Sequence, residues 1–339
     1  MEREGLAWTH RACSTVLQAF GKAGRLNAAL QLIGEMEQRG ISPDHIDYLT
    51  LIGACARGKK NGTRAGDRGG SEQALELLQR MQDKGPVPDI RHYTAAMKVC
   101  VTEGDSAKAV NIFRSMRDQG IKPNAHSWGA LLDAIGKAGQ VAEMMAWYGE
   151  MLASGGVKPN IIMMTTLLDN AGKAGEPGIV ERIWRDMLDR QLEPDVKSYN
   201  TRISCYATAN QPDQAEGVLA EMCQSAAVKP NAFCFNSLMQ AYINDKRLDE
   251  AERIIGRMRA AGVEPDFCTW RVIIHAADEL GDIKKADGLY CDALSSKAIN
   301  PYRPQLSNAI KDPVGSTLPV GTVHVLVAPC VADGSTQAG

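Results

Sequence analysis

The sequence predicts an all-α solenoid of about eight stacked helix-turn-helix units. Proline followed by Asp or Asn recurs at Pro43-Asp44, Pro88-Asp89, Pro123-Asn124, Pro159-Asn160, Pro194-Asp195, Pro230-Asn231 and Pro265-Asp266, at intervals of 45, 35, 36, 35, 36 and 35 residues. A fixed period of that length is the mark of stacked repeats. Methionines keep the same register, since Met36, Met81, Met116, Met151, Met187, Met222 and Met258 each stand seven or eight residues before one of those prolines. Within one period the apolar residues follow helical spacing twice: Phe235, Leu238, Met239 and Tyr242 at i, i+3, i+4 and i+7, then Ala251, Ile254, Ile255 and Met258.

Counting back from each proline mark gives the units in order. After an N-terminal extension over 1–9 come 10–44, 45–89, 90–124, 125–160, 161–195, 196–231, 232–266 and 267–302. In the seventh, Asn244, Asp245 and Lys246 form the polar turn between the helices, and Gly262 with Pro265 ends the second helix, because proline cannot continue it. One such hairpin is too small to bury a core alone and must be covered by the next. Ala29, Ala74, Ala109, Ala215, Ala251 and Ala286 let neighbouring helices approach, and the periodic methionines fill the gaps. The second unit carries about ten extra residues within 57–71, rich in glycine and bearing Arg57, Lys59, Lys60, Arg64 and Arg68, which reads as a flexible basic loop at the turn. The eighth unit departs from the pattern, with Ala293 in place of methionine and Asn300-Pro301-Tyr302 at its close, as a terminal repeat does. The segment 303–339 loses the period and is expected to be mostly disordered. Its two acids, Asp312 and Asp333, cannot assemble a nuclease metal site there.

Composition narrows the function. The 339 residues are 44% hydrophobic with net charge −2, ordinary for a helical globular protein, and no apolar run reaches the roughly 18–20 residues that span a bilayer. Nine scattered cysteines with no C-x-x-C pair suggest a reducing compartment. No Ser-His-Asp, HExxH or phosphate-loop pattern supports an enzyme, and no metal, cofactor or small-molecule substrate is implied. The charge balance argues against a basic nucleic-acid binder unless the charges are segregated.

Tyr199-Asn200 near a unit start, Lys22-Ala23-Gly24, Lys137-Ala138-Gly139 and Lys173-Ala174-Gly175 at turns, Ala251 with Met258, and Gly40-Ile41-Ser42-Pro43-Asp44 at a unit end resemble the pentatricopeptide repeat family. The nearly uniform unit length is similar to its P-type subclass. The tetratricopeptide repeat fits less well, because its Trp and Leu-Gly pattern is absent. The resemblance implies a right-handed superhelical α-solenoid that binds single-stranded RNA in a chloroplast or mitochondrion. It implies action on transcript stability, processing, splicing or translation without catalysis. Met1 to Thr9 leave no room for a transit peptide, which suggests a fragment. The alternatives are a helical scaffold for a protein partner, or part of a larger RNA-maturation factor whose catalytic domain is missing.

Repeats of this family read one base each through two or three side chains. The resemblance places the reading pair at the fifth and closing residues of a unit: Ser14 with Asp44, Thr94 with Asn124, Thr165 with Asp195, Asn200 with Asn231, and Asn236 with Asp266. Leu49 with Asp89, Gly129 with Asn160 and Arg271 with Tyr302 match no combination. The implied target, 5′ to 3′, is G-n-A-n-G-Y-U-n. The closing Asp or Asn also suits a helix cap. Ile46, Ile162 and Phe233 stand at second positions suited to base stacking, and Lys22, Arg57, Lys137 and Lys173 end first helices where the family meets phosphate. Acidic residues such as Asp249, Glu250 and Glu252 fall in second helices, so a modestly positive groove is expected.

Overall fold

The computed structural model describes residues 8–58, 69–225 and 228–296, the side chains of 57 and 58 excepted. Among them are α-helices and no strand. They run in pairs: α1 (His10–Lys22) and α2 (Leu26–Gln38), α3 (His45–Gly58) and α4 (Gly70–Lys84), α5 (Ile90–Glu103) and α6 (Ser106–Asp118), α7 (Ala125–Lys137) and α8 (Val141–Ser154). The order continues with α9 (Ile161–Lys173) and α10 (Pro177–Asp189), α11 (Val196–Thr208) and α12 (Pro212–Gln224), α13 (Ala232–Asn244) and α14 (Leu248–Ala260), α15 (Phe267–Glu279) and α16 (Ile283–Ser295). Of the basic insertion expected within 57–71, Arg57 and Gly58 belong to α3 and Gly70 and Ser71 to α4, while 59–68 lie outside the described residues, as do Tyr302 and the segment 303–339.

Two compact units divide the chain, Met1–Pro265 and Asp266–Gly339. In the first, the odd-numbered helices α1 to α13 stack one on the next, each even-numbered helix from α2 to α12 packs on its own partner and on the following odd helix, and α14 packs on α13. All seven periodic methionines are fully buried, as are Ala29, Ala74, Ala109, Ala215 and Ala251. Burying one such methionine contributes about 1.5–3 kcal/mol, so this recurring residue is a main source of cohesion between hairpins. In the second unit α15 packs on α16, burying Trp270, Ile273 and Ala277 with Leu289 and Ala293.

The turns explain the Lys-Ala-Gly motif. Gly24, Gly139 and Gly175 adopt φ of 67°, 76° and 68°, a left-handed conformation that costs a residue with a Cβ. Asn210 and Lys246 hold the same position in their hairpins at φ of 54° and 60°. A second glycine acts by contact. A Cβ on Gly172 would lie 2.7 Å from Thr201 Cγ2, so its absence lets α11 close onto α9. An ion-pair cluster reinforces that junction: the Arg202 guanidinium of α11 donates to Glu181 of α10 and Glu221 of α12 and lies 4.6 Å from the Trp184 ring centroid. Five described cysteines are buried, and burial pushes the Cys55 and Cys100 thiols up to about 12.

Candidate nucleic-acid interface

Every closing Asp or Asn from Asp44 to Asp266 caps the helix that follows it, and each does so through the same atom. Oδ1 of Asn124 accepts from the backbone N–H of His126 and Ser127, both at 3.0 Å. Oδ1 of Asn160 accepts from Met163 at 2.9 Å, that of Asp195 from Ser198 at 2.8 Å, and that of Asn231 from Cys234 at 3.2 Å. Asp44 caps α3 through Ile46 and Asp47, and Asp266 caps α15 through Thr269. The geometry follows from sequence, since the side-chain oxygen satisfies N–H groups that have no partner inside the helix. The cap does not use the other terminal atom, although at Asp89 that atom, Oδ2, is held by Arg91. Asn124, Asn160 and Asn231 are exposed, and their Nδ2 groups bond to no described residue; Asp195 is exposed and its Oδ2 is likewise unbonded.

A third residue, unmarked in the sequence reading, completes the cap. It stands three places after the closing residue and is Asp47, His92, Ser127, Ser198, Cys234 or Thr269, each no more than 1% exposed. Ser127 Oγ accepts from Asn124 N–H at 2.9 Å, Asp47 Oδ2 from Asp44 N–H at 3.1 Å, and Thr269 Oγ1 from Asp266 N–H at 3.3 Å. Met163 is the exception, an apolar residue at the same place. The spacing Asp/Asn-x-x-polar is a capping-box signature and was available in the sequence.

The fifth residues lie deeper than the second ones. Thr94 and Thr165 are 8% exposed, and their hydroxyls donate to the carbonyls of Ile90 and Ile161, leaving oxygen lone pairs as acceptors. Ser14 is half-buried beside His10. Asn200 is half-buried and meets Asn231 through a shared neighbour, because the Cys234 thiol donates to Asn200 Oδ1 while the Cys234 backbone N–H donates to Asn231 Oδ1. Asn236 is half-buried on α13. One turn earlier, Ile46, Ile162 and Phe233 are 55%, 72% and 50% exposed, among the most exposed large apolar side chains described.

The helix-end cations are not equivalent. Lys22 and Lys173 are exposed and bond to no described residue, whereas Lys137 is held by Asp133 at 3.0 Å. Arg57 belongs to α3, but its side chain lies outside the described residues. Acids also stand on first helices, against the expected segregation: Asp133 also accepts from Asn170, and Asp169 pairs with Lys197 and accepts from Thr201. Two histidine-carboxylate clusters occupy reading positions. In one, His92 bonds to Asp89 Oδ1 at 2.7 Å and donates to the His45 carbonyl at 2.9 Å, while Arg91 holds Asp89 Oδ2. Burial pushes Asp89 up, but the bonds from Arg91 and His92 prevail and hold its carboxyl at about 2. An arginine and two spent ring nitrogens make this a closed ion-pair cluster, not a ligand set. In the other, His10 Nε2 lies 3.1 Å from Asp47 Oδ2, close enough for an ion pair but not aligned as a hydrogen bond.

Comparison with known proteins agrees with the repeat geometry. A family model described as "Pentatricopeptide repeat domain" matches residues 76–138, 150–209 and 182–245, "PPR repeat family" matches 10–57 and 230–277, and "PPR repeat" matches 126–156. The small ribosomal subunit protein mL103 of Arabidopsis thaliana is 23% identical over 77% of this chain and 52% of its own length. A chloroplastic pentatricopeptide repeat-containing protein of the same plant is 24% identical over 68% of this chain and 28% of its own length. The chain thus spans about half, or less, of the length of these relatives. The crystal structure of the maize pentatricopeptide repeat protein PPR10 aligns with 88% of this chain and 50% of its own, at 21% identity and a TM-score of 0.46.

Proposed function

The chain belongs to the pentatricopeptide repeat family, and from that premise we propose that it binds single-stranded RNA sequence-selectively, one base per hairpin, as a P-type member. The observation that carries the reading is the uniform use of Oδ1 in the caps. It turns an Asp into an outward acceptor through Oδ2 and an Asn into an outward donor through Nδ2.

That difference supplies a physical basis for the base preferences. Thr165 and Asp195 offer two acceptors, which complement the N1–H and N2–H donors of guanine. Thr94 and Asn124 offer an acceptor and a donor, the complement of adenine's N6–H and N1. Ser14 with Asp44 repeats the guanine combination. Asn200 and Asn231, with both Oδ1 atoms engaged by Cys234, offer amide donors to the carbonyl oxygen of a pyrimidine. Exposed Ile46, Ile162 and Phe233 supply apolar surface for base faces. Lys22 and Lys173 are available to phosphate, and the exposed Lys137 can exchange its half-buried partner Asp133 for phosphate, because a pair this close to the surface contributes only about 0–1 kcal/mol.

The relatives named as chloroplastic or mitochondrial support action in one of those organelles. Tight occupancy of a strand there stabilises, exposes or delimits a transcript without catalysis. The test is the affinity for an RNA carrying G-n-A-n-G-Y-U-n against a scrambled RNA across a salt series. Preference of about tenfold, 1.4 kcal/mol, is expected, and Asn124→Asp should move the third-base preference from A to G. Equal weak binding to both RNAs that collapses with modest salt would refute base reading and favour a scaffold for a protein partner.

A further inference from the structure

We propose that Ser198, the third residue of α11, is a positioning residue that sets guanine specificity in the hairpin before it, acting through Asp195. The inference rests on the base-reading function above and adds a residue that lies outside the reading pair.

Oδ1 of Asp195 receives two bonds from one residue: the Ser198 backbone N–H at 2.8 Å and the Ser198 hydroxyl at 2.7 Å. Ser198 is fully buried, so its hydroxyl has no water to turn to and Asp195 is its bonded partner. A carboxylate held by one N–H can rotate about its Cβ–Cγ bond and exchange its oxygens. Two donors converging on Oδ1 remove that freedom and direct Oδ2, the only acceptor left, outward. Hydrogen bonds to a charged group are among the stronger ones, which is enough to select one orientation.

The first hairpin supplies an internal comparison. Ser14 with Asp44 is the same kind of reading pair as Thr165 with Asp195, yet the third residue there is Asp47. Asp44 Oδ1 also receives two donors, the backbone N–H of Ile46 at 2.8 Å and of Asp47 at 2.9 Å, but the Asp47 side chain gives it none: its carboxylate accepts from the Asp44 backbone N–H at 3.1 Å. Instead a second buried carboxylate stands beside Asp44, with His10 Nε2 at 3.7 Å from Asp44 Oδ2 and 3.1 Å from Asp47 Oδ2. His10 therefore competes for the oxygen that would face a base. Two hairpins with equivalent pairs should discriminate unequally, the fifth better than the first.

The experiment measures affinities for G-n-A-n-G-Y-U-n and for the same RNA with A at the first or fifth base, using the full chain. The wild-type G/A ratio should be larger at the fifth base than at the first. Ser198→Ala should lower the fifth-base ratio by about fivefold to tenfold, the equivalent of one hydrogen bond, and leave the first-base ratio unchanged. Ser198→Thr, which keeps the hydroxyl as Thr269 does for Asp266, should retain the ratio. Asp47→Ser should raise the first-base ratio. A fifth-base ratio that survives Ser198→Ala overturns the positioning role while leaving base reading intact. A wild-type ratio of one at both bases overturns base reading and this role with it. A drop in affinity for all RNAs equally, with the ratios kept, would mark Ser198 as a cap residue only and also overturn the proposal.

Discussion

Replacing Arg202 with Met tests whether the junction between the fifth and sixth hairpins depends on one buried charge cluster. The Arg202 side chain is 12% exposed and donates to Glu181 at 2.5 Å and 2.9 Å and to Glu221 at 2.7 Å. Glu181 is itself 19% exposed and also accepts from Tyr206 at 2.9 Å, whereas Glu221 is 44% exposed. The Glu221 arm is therefore close to a surface pair, contributing about 0–1 kcal/mol. The Glu181 arm is bidentate and mostly out of water. Removing one member of a buried pair costs about 3–5 kcal/mol, chiefly because the other charge is stranded. Residual exposure of Glu181 and its bond from Tyr206 place the expected loss at the low end, about 2–3 kcal/mol. Methionine keeps the contact with Trp184, so packing loss is a minor part.

Urea unfolding reads this directly: with m of about 1–3 kcal/mol per molar, the midpoint should fall by roughly 1 M or more. Hydrogen exchange should quicken most in α10 and α11, because each hairpin in a repeat stack is coupled only to its neighbours. The double substitution Arg202→Met with Glu181→Gln should recover about 1 kcal/mol or more relative to the sum of the single changes. A loss below about 0.5 kcal/mol, the range of ordinary surface substitutions, would refute the claim that this cluster fastens the junction.

Two further outcomes follow from the backbone and the caps. Gln191 holds φ of 57° at the end of α10, where Gly40, Gly120 and Gly262 stand in other hairpins; Gln191→Gly should stabilise by about 0.5–1 kcal/mol in urea unfolding, and a destabilised variant would show that the side chain contributes more than the strain costs. Asp89 has a carboxyl held at about 2, below its ordinary value of 3.8, so its contribution is present above the ordinary value and lost as pH falls through the lower one. The difference in melting temperature between wild type and Asp89→Asn should therefore shrink as pH is lowered from roughly 5 to about 2, and a difference constant over that window would contradict the assigned bonds.

The period and the core were legible because the residues that pack a hairpin are apolar and recur: the methionines and alanines that the spacing selects are the ones that are buried. The candidate interface was legible only in part. Thr94, Asn124, Thr165 and Asp195 could be picked out as polar residues in a fixed register, but Ser127 and Ser198 look like any helix-start serine until their burial is known. The close approach at Gly172 was hidden for a different reason, since it depends on Thr201 of the next hairpin and a sequence period does not reveal which atoms meet. Asp133 and Asp169 escaped because charges were assigned to helices by composition, whereas their pairing with Lys137 and Lys197 is set by position on the helix surface. The division at Pro265 also carries no sequence mark, because Pro265-Asp266 repeats the earlier junctions.

The closing residue joins two demands that are usually separate. As an N-cap it stabilises the next helix, and its replacement by Ala costs about 1 kcal/mol. On the proposed reading, its second terminal atom faces the base. Asn and Asp both retain Oδ1, so exchanging them preserves the bonds to the N–H groups of His126 and Ser127, or of Ser198, while changing the outward atom from donor to acceptor. Specificity can thus change at nearly constant stability, but only between residues that cap. On the proposed reading that restriction accounts for Asp or Asn at the five closing positions of the reading pairs, Asp44, Asn124, Asp195, Asn231 and Asp266, while Asp89 and Asn160 serve as caps. Helix capping alone would admit Ser or Thr at some of them, and base contact alone would admit Gln or Glu; the two demands together leave the pair observed.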